Sequence, residues 1–293
     1  MSATILDGKA LAAQLREEIR QGVAALKAET GVVAGLGVVL VGENPASVSY
    51  VTAKERACAE AGILSKETRL PADATLDDVL KVVDGLNKDP EVDGILVQLP
   101  LPRQIDEQAV IEAIAPEKDV DGFTPVNVGR MMLGQKCFLP CTPHGILKMS
   151  ERAGVATRGR HAVVVGRSNI VGKPVAQLLM RKGSDATITV CHTGTADLAA
   201  HTRQADILIV AAGRPQTVTA PMVKPGAAVI DVGVNRIPDP TKRNGFRLEG
   251  DVDFAGVKEV ASVITPVPGG VGPMTITMLL QNTLESARRR AGK

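Results

Sequence analysis

Tryptophan is absent, Tyr50 is the only tyrosine, and aromatic residues make up 2% of the chain. So few rings leave no stacking platform for single-stranded nucleic acid. A formal net charge of +2 removes the electrostatic argument for nucleic acid or an anionic membrane. No apolar run reaches the roughly 18–20 residues that span a bilayer. The opening stretch MSATILDGKALAAQLREEIRQGV mixes acids and bases at helical spacing. A secretory signal would show a basic start and a solid apolar core, so the expected location is the cytoplasm. Cysteine is scarce, at positions 58, 137, 141 and 191, and the histidines at 144, 161, 192 and 201 are dispersed. Neither set has metal-ligand spacing, so reduced thiols and no metal are expected.

Glycine and proline, by contrast, are plentiful (29 and 18) and cluster at apparent strand ends. At 293 residues the chain has room for two medium domains. A helix is expected over 8–30, then a buried strand GLGVVLVG (35–42). A helix starting after NPAS follows, with Ser47 as a possible cap, then a strand near 64–69 and a helix near 76–88. VDGILVQLPLP (92–102) reads as a buried strand closed by prolines. From 115 to 145 the text is dense in Pro and Gly without periodicity, which marks a boundary and a loop suited to line a cleft. A second strand–helix series begins at HAVVVG (161–166), with further buried strands at 186–195, 205–215 and 227–235. The tail from 273 reads as a helix with a basic last turn. The expected fold is α/β, with two domains and a cleft between them. Residues 1–120 with the helix 274–293 form the catalytic domain, and 121–273 a Rossmann-like, doubly wound parallel sheet.

VVVGRSNIVGKP departs from the G-x-G-x-x-G fingerprint, yet keeps the physics of a phosphate site. Gly166 closes a strand, Gly172 enters a helix, and Arg167, Ser168 and Ile170 lie between them. Pro174 occupies the first helical turn, where its missing N–H costs nothing. Enzymes using NAD usually place an acid at the end of the second strand. Here that strand ends TVCHTGT, offering His192, Thr193 and Thr195 and no carboxylate before Asp197. Donors without an acid favour a 2′-phosphate, so NADP is the expected cofactor. Ala212–Gly213 and Val232–Gly233 supply further glycine turns at the same sheet edge. A single such turn could serve helix–strand packing alone.

Tyr50 and Lys54 are one helical turn apart and share a face. Their helix starts at the carboxyl end of a buried strand, where α/β proteins bind ligands. Gln98, followed by Leu99, comes from another strand end and could contact the amine. A desolvated lysine has a lowered pKa and can move protons near neutrality.

VGENPASVSYVTAKERACAEAGI, DGILVQLPLP, PEKDVDGF, GRSNIVGKP and TPVPGGVGPMTITMLLQNT together resemble, in order and along essentially the whole chain, the bifunctional methylenetetrahydrofolate dehydrogenase/cyclohydrolase family. The resemblance implies a cytoplasmic homodimer acting on tetrahydrofolate derivatives, with neither nucleic acid nor membrane as partner. It implies oxidation of 5,10-methylenetetrahydrofolate to the methenyl form with NADP, then hydrolysis to 10-formyltetrahydrofolate. It makes Lys54 the general acid/base, Tyr50 the ring packed on folate, Gln98 the group that tunes the lysine, and Asp121 the carboxylate holding the pterin. Leu99, Pro268, Gly269 and Gly270 complete the implied substrate set. Gly166, Arg167, Ser168, Ile170, His192, Thr193, Ala212, Gly213, Val232, Gly233 and Thr277 form the implied cofactor set. Gly194 stands where the family commonly has Arg or Lys, which removes a cation from the 2′-phosphate side and leaves Arg167. A monofunctional dehydrogenase would not need Lys54 and Gln98, and a nucleotide sensor would need no reactive amine. An added formate-activating ligase would need a phosphate loop that the sequence lacks.

Overall fold

The computed structural model describes residues 2–242 and 245–293. In chain order the elements are β1 (Thr4–Ile5), α1 (Gly8–Thr30), β2 (Gly35–Val41), α2 (Pro45–Ala61), β3 (Leu64–Leu70), α3 (Leu76–Lys88), β4 (Gly94–Val97), α4 (Glu107–Ala113), α5 (Pro125–Met132), α6 (Cys141–Arg152), β5 (His161–Val165) and α7 (Gly172–Met180). Then follow β6 (Thr187–Cys191), α8 (Leu198–Thr202), β7 (Ile207–Val210), β8 (Ala228–Asp231), β9 (Asn235–Pro238), β10 (Phe246–Glu249), α9 (Phe254–Lys258), β11 (Val263–Ile264) and α10 (Val271–Arg290).

The chain forms two compact units. One holds Ala13–Cys141 with Ile276–Lys293; the other holds the segment ending at Ala12 with Thr142–Thr275. These compact units divide at 141/142, some twenty residues after the expected boundary at 120/121. The loop after α4 joins the first strands where the Ile95 amide donates to the Lys118 carbonyl, and within it the carboxylate of Asp119 gathers the start of α5. Asp119, 1% exposed, accepts from the Phe123 and Thr124 amides, the Thr124 hydroxyl and the Asn127 side chain. The first residues go with the other unit because β1 pairs in parallel with β11.

In the Ala13–Cys141 unit a three-stranded parallel sheet has the order β3-β2-β4. Its central strand, GLGVVLV, is buried along its whole length, as a run without polar alternation requires. β3 is an edge strand, and its polar sequence LSKETRL fits that place. β4 ends at Val97 and runs into a loop with Pro100 and Pro102, which have no N–H for a ladder. α2 is capped by Asn44, whose side chain accepts from the Ala46 and Ser47 amides, so Ser47 is not the cap.

The tail of α10 locks this unit. Ser286 donates to the carbonyls of Asp93 and Glu117, and Arg290 makes two bonds to the Asp93 carboxylate, at 2.6 and 3.1 Å. Asp93 is 1% exposed at its side chain while Arg290 is 38% exposed. Arg290→Met leaves that buried charge with the Gly35 amide as its partner. The expected cost is about 2 kcal/mol, between exposed and fully buried pairs. Thermal unfolding reads it as a lower Tm, and an unchanged Tm would show that the pair contributes nothing.

In the other unit a six-stranded parallel sheet has the order β1-β11-β8-β7-β5-β6. Starting from β5, this is the doubly wound 2-1-3-4-5 arrangement with one strand added at the edge. Its topological switch lies between β5 and β7, and ligands bind such sheets beyond the carboxyl ends of the strands at that point. The inner strands β7 and β8 are wholly buried and form one core with Val163, Val165, Val218 and Val257.

Candidate functional site

In the Ala13–Cys141 unit, three elements converge on Lys54. The lysine stands on α2, Gln98 follows β4, and Asp121 lies in the loop before α5. Lys54 Nζ donates to Gln98 Oε1 at 2.9 Å. The Gln98 amide cannot turn away, because its Nε2 donates to the Leu99 carbonyl at 2.6 Å. The residue as a whole is half-buried, and burial lowers the pKa of its amine from the usual lysine value of 10.5; Asp121, Cys141 and Cys58 oppose the shift. Burial likewise pushes the Asp121 carboxyl up to about 6, with Lys54 opposing and Asp119 adding to the rise. Both shifts point the same way: desolvation favours the neutral forms over the ion pair.

Of the two aspartates in DVDGF, only one is consumed by the loop. Asp119 carries the turn and cap hydrogen bonds described above, whereas Asp121 interacts with Lys54 and the Cys141 thiol. The backbone carrying Asp121 is held from behind. Asn282 of α10 donates to the carbonyls of Val120 and Leu139, and the Cys141 thiol donates to Val120 as well. Burial raises the thiols of Cys58, to about 12, and of Cys141, well above 9, so both stay protonated. Tyr50, 48% exposed, presents an open ring face one turn before the lysine. Cys58, Cys141 and Asn282 were missed from sequence; the only trace is Cys58 four residues after Lys54, on its helical face.

In the other unit, Gly166 ends β5 with φ 122°, and a Cβ there would overlap the Ala211 carbonyl at the end of β7. A Cβ at Gly172 would overlap the Gly166 carbonyl. These two glycines set a turn whose residues Arg167, Ser168 and Ile170 are exposed. Ser168 Oγ accepts from the Val171 and Gly172 amides and so caps α7. After β6 the chain turns tightly: Thr195 Oγ1 accepts from the His192 amide, and His192 Nδ1 accepts from the Gly194 amide. Thr193 is exposed at that turn. Gly213, with φ 68°, follows β7, and Val232–Gly233 follows β8. Open turns beyond four neighbouring parallel strands, one with a cradle that only glycine allows, fit the phosphates and ribose of a dinucleotide.

Two further groups of the implied site lie as follows. Thr277 belongs to the Ala13–Cys141 unit, where it is fully buried and its hydroxyl accepts from Arg16 Nε at 3.0 Å. Pro268, Gly269 and Gly270 belong to the unit of the six-stranded sheet. There the Gly269 carbonyl accepts from the Lys9 amide, and Gly8 packs on Gly270 without room for a Cβ. Among the described residues no group of histidine, cysteine or acidic side chains is arranged to hold a metal, and no helix is long and apolar enough to cross a membrane.

A doubly wound parallel sheet edged by open glycine turns is the fold class of nucleotide-dependent dehydrogenases, and a lysine held by an amide suits acid–base chemistry. Residues 6–121 match the tetrahydrofolate dehydrogenase/cyclohydrolase catalytic domain, and residues 140–291 match the NAD(P)-binding domain of the same proteins. The chain belongs to the tetrahydrofolate dehydrogenase/cyclohydrolase family. Over 289 residues it is 58% identical to the bifunctional protein FolD of Moorella thermoacetica, covering 99% of this chain and all of that one. It is 59% identical to that of Geobacillus thermodenitrificans over the full length of both. The bifunctional FolD enzyme of Campylobacter jejuni superposes with a TM-score of 0.93 at 48% identity, covering 99% of this chain and 100% of that one. The Trypanosoma brucei enzyme, solved with NADP and an inhibitor, gives 0.95 at 41%, covering 99% and 98%. The protein is a bifunctional methylenetetrahydrofolate dehydrogenase and cyclohydrolase of one-carbon folate metabolism.

Proposed function

We propose that Lys54 is the proton carrier of the hydrolytic step, with Gln98 orienting its amine and Asp121 holding the pterin edge. The observation that carries this reading is the bond from Lys54 Nζ to Gln98 Oε1 beside the half-buried carboxylate of Asp121. The methenyl bridge carbon is cationic, so water adds to it when a base removes a proton. Neutral Lys54 takes that proton as the carbon–oxygen bond forms. Collapse of the adduct breaks the bond from carbon to N5, the hydroxyl proton passes to N5, and the formyl group stays on N10. Gln98 keeps the amine aimed, since its own Nε2 is tied to the Leu99 carbonyl. Asp121 accepts from the donor-rich amino-pyrimidine edge, and Tyr50 packs on the ring. The test is the Lys54→Gln variant set out below.

The cofactor is NADP, and when bound it supplies the hydride acceptor for the first reaction. Gly166, Arg167, Ser168 and Ile170 would hold its phosphates, with His192, Thr193, Ala212, Gly213, Val232 and Gly233 along the same sheet edge. The 2′-phosphate falls to Arg167, because β6 ends without an acid and Gly194 offers no cation. Arg167→Ala is expected to raise KM for NADP by roughly tenfold or more, the size of one charge-assisted contact, and to leave KM for NAD nearly unchanged. Equal rises for both cofactors would remove Arg167 from that role. A homodimer in the cytoplasm completes the proposal, and light scattering of the purified protein reads its subunit number.

A further inference from the structure

Two buried carboxylates tie together the turns beyond β7 and β8, and the chemistry above uses neither. Asp251, fully buried, lies after β10. Its Oδ2 accepts from the amides of Ala212 and Gly213, at 2.7 and 2.8 Å. Its Oδ1 accepts from the side chain of Asn235 at 2.8 Å. Gly233 packs so closely on the same carboxylate that a Cβ there would overlap it. Asp231, at the end of β8, completes the frame by accepting from the amides of Gly233, Asp251 and Val252, each at 3.0 Å.

We propose that Asp251 is a positioning residue for the dinucleotide, its carboxylate fixing the Ala212–Gly213 turn and the Gly233 turn in the one backbone conformation that the cofactor meets. The proposal rests on the reading that the cofactor lies along this sheet edge. A carboxylate is suited to the place because each oxygen faces N–H donors and neither needs to donate. An asparagine would turn an NH2 group toward a donor on one side or the other, leaving the turn at 212–213 or the side chain of Asn235 without its acceptor. The turns would then sample several conformations, and binding would carry the cost of selecting one.

The experiment uses the full chain with Asp251→Asn and, as a milder perturbation, Asn235→Ala, which removes the support on Oδ1 and keeps both turn amides bonded. Four quantities are read. They are the NADP dissociation constant by calorimetry, the split of kcat and KM for NADP, the hydrolysis of supplied methenyltetrahydrofolate without NADP, and amide exchange in the peptide spanning 211–217. Asp251→Asn is expected to exchange faster at 212–213 without cofactor and to raise both the dissociation constant and KM for NADP at least tenfold. It should leave kcat at saturating NADP and the hydrolytic rate within about twofold. Asn235→Ala should shift affinity the same way by a smaller factor, and it decides alone if Asp251→Asn does not fold. Unchanged NADP affinity despite faster exchange overturns the proposal, as does a fall in hydrolysis matching the fall in affinity. In the unsubstituted protein NADP should slow exchange across 166–172. If it does not, the location of the cofactor is what fails; if it does while the variants bind normally, the positioning role fails.

Discussion

Lys54→Gln is expected to lower hydrolysis of methenyltetrahydrofolate by about 10²–10⁴, the range of a positioned proton carrier, while oxidation of the methylene form remains measurable. The asymmetry follows from the two reactions. Hydride transfer moves no proton and needs only rings held in register, whereas water cannot add to the bridge carbon without losing one. Glutamine is close in length and can meet Gln98 through its own amide, so the surroundings stay filled. The unsubstituted enzyme should also hydrolyse faster as pH rises through the depressed value of Lys54, because only the neutral amine accepts a proton. Equal loss of both activities in the variant would show that Lys54 serves substrate placement instead.

Asp121→Ala should weaken folate binding by at least about 100-fold, the sum of two hydrogen bonds to a charged acceptor, with NADP affinity unchanged. The same carboxyl gives a pH signature. In the free enzyme it titrates near 6, so kcat/KM for the folate should fall below that pH, and Asp121→Ala should lack this limb. Its effect on stability runs the other way. Between about 4 and 6 the folded chain holds a proton that the unfolded chain, at the ordinary 3.8, has released. The contribution of Asp121 to stability therefore falls as pH rises through that window. Normal folate affinity in the variant, measured by direct titration, would end the pterin role.

The strands were the most legible part of the chain. GLGVVLV, HAVVV, ILIV and AVID are apolar runs closed by glycine, polar or loop residues, and a parallel sheet covered on both faces demands that pattern. The helices α4 and α5 were not visible between 107 and 132, since eight residues or fewer give too short a period to detect. The start of α5 left a readable mark, Thr124 before Pro125, which was masked by the Pro- and Gly-rich text around it. The segment ending at Ala12 could not be assigned, because two residues pairing with β11 carry no periodicity of their own. At the site, the helical spacing of Tyr50 and Lys54 was plain, and Gln98 followed from its strand end. Asp119 and Asp121 could not be separated by spacing; only the hydrogen bonds show which one the loop has taken. Asp251 was invisible for the same reason, as its partners lie 16 to 39 residues away.

Both units are sewn from distant stretches of chain. β1 waits for β11, and the Asp93 carboxylate waits for Arg290. A ribosome that has released only the first half of the polypeptide has therefore made neither unit whole. α10, synthesised after these segments, carries Asn282, Ser286 and Arg290, which hold the loops at Val120 and Leu139 and at Asp93 and Glu117. Premature termination early in α10 would thus remove the Asn282 bonds to the backbone beneath Asp121 while leaving every proposed catalytic side chain encoded.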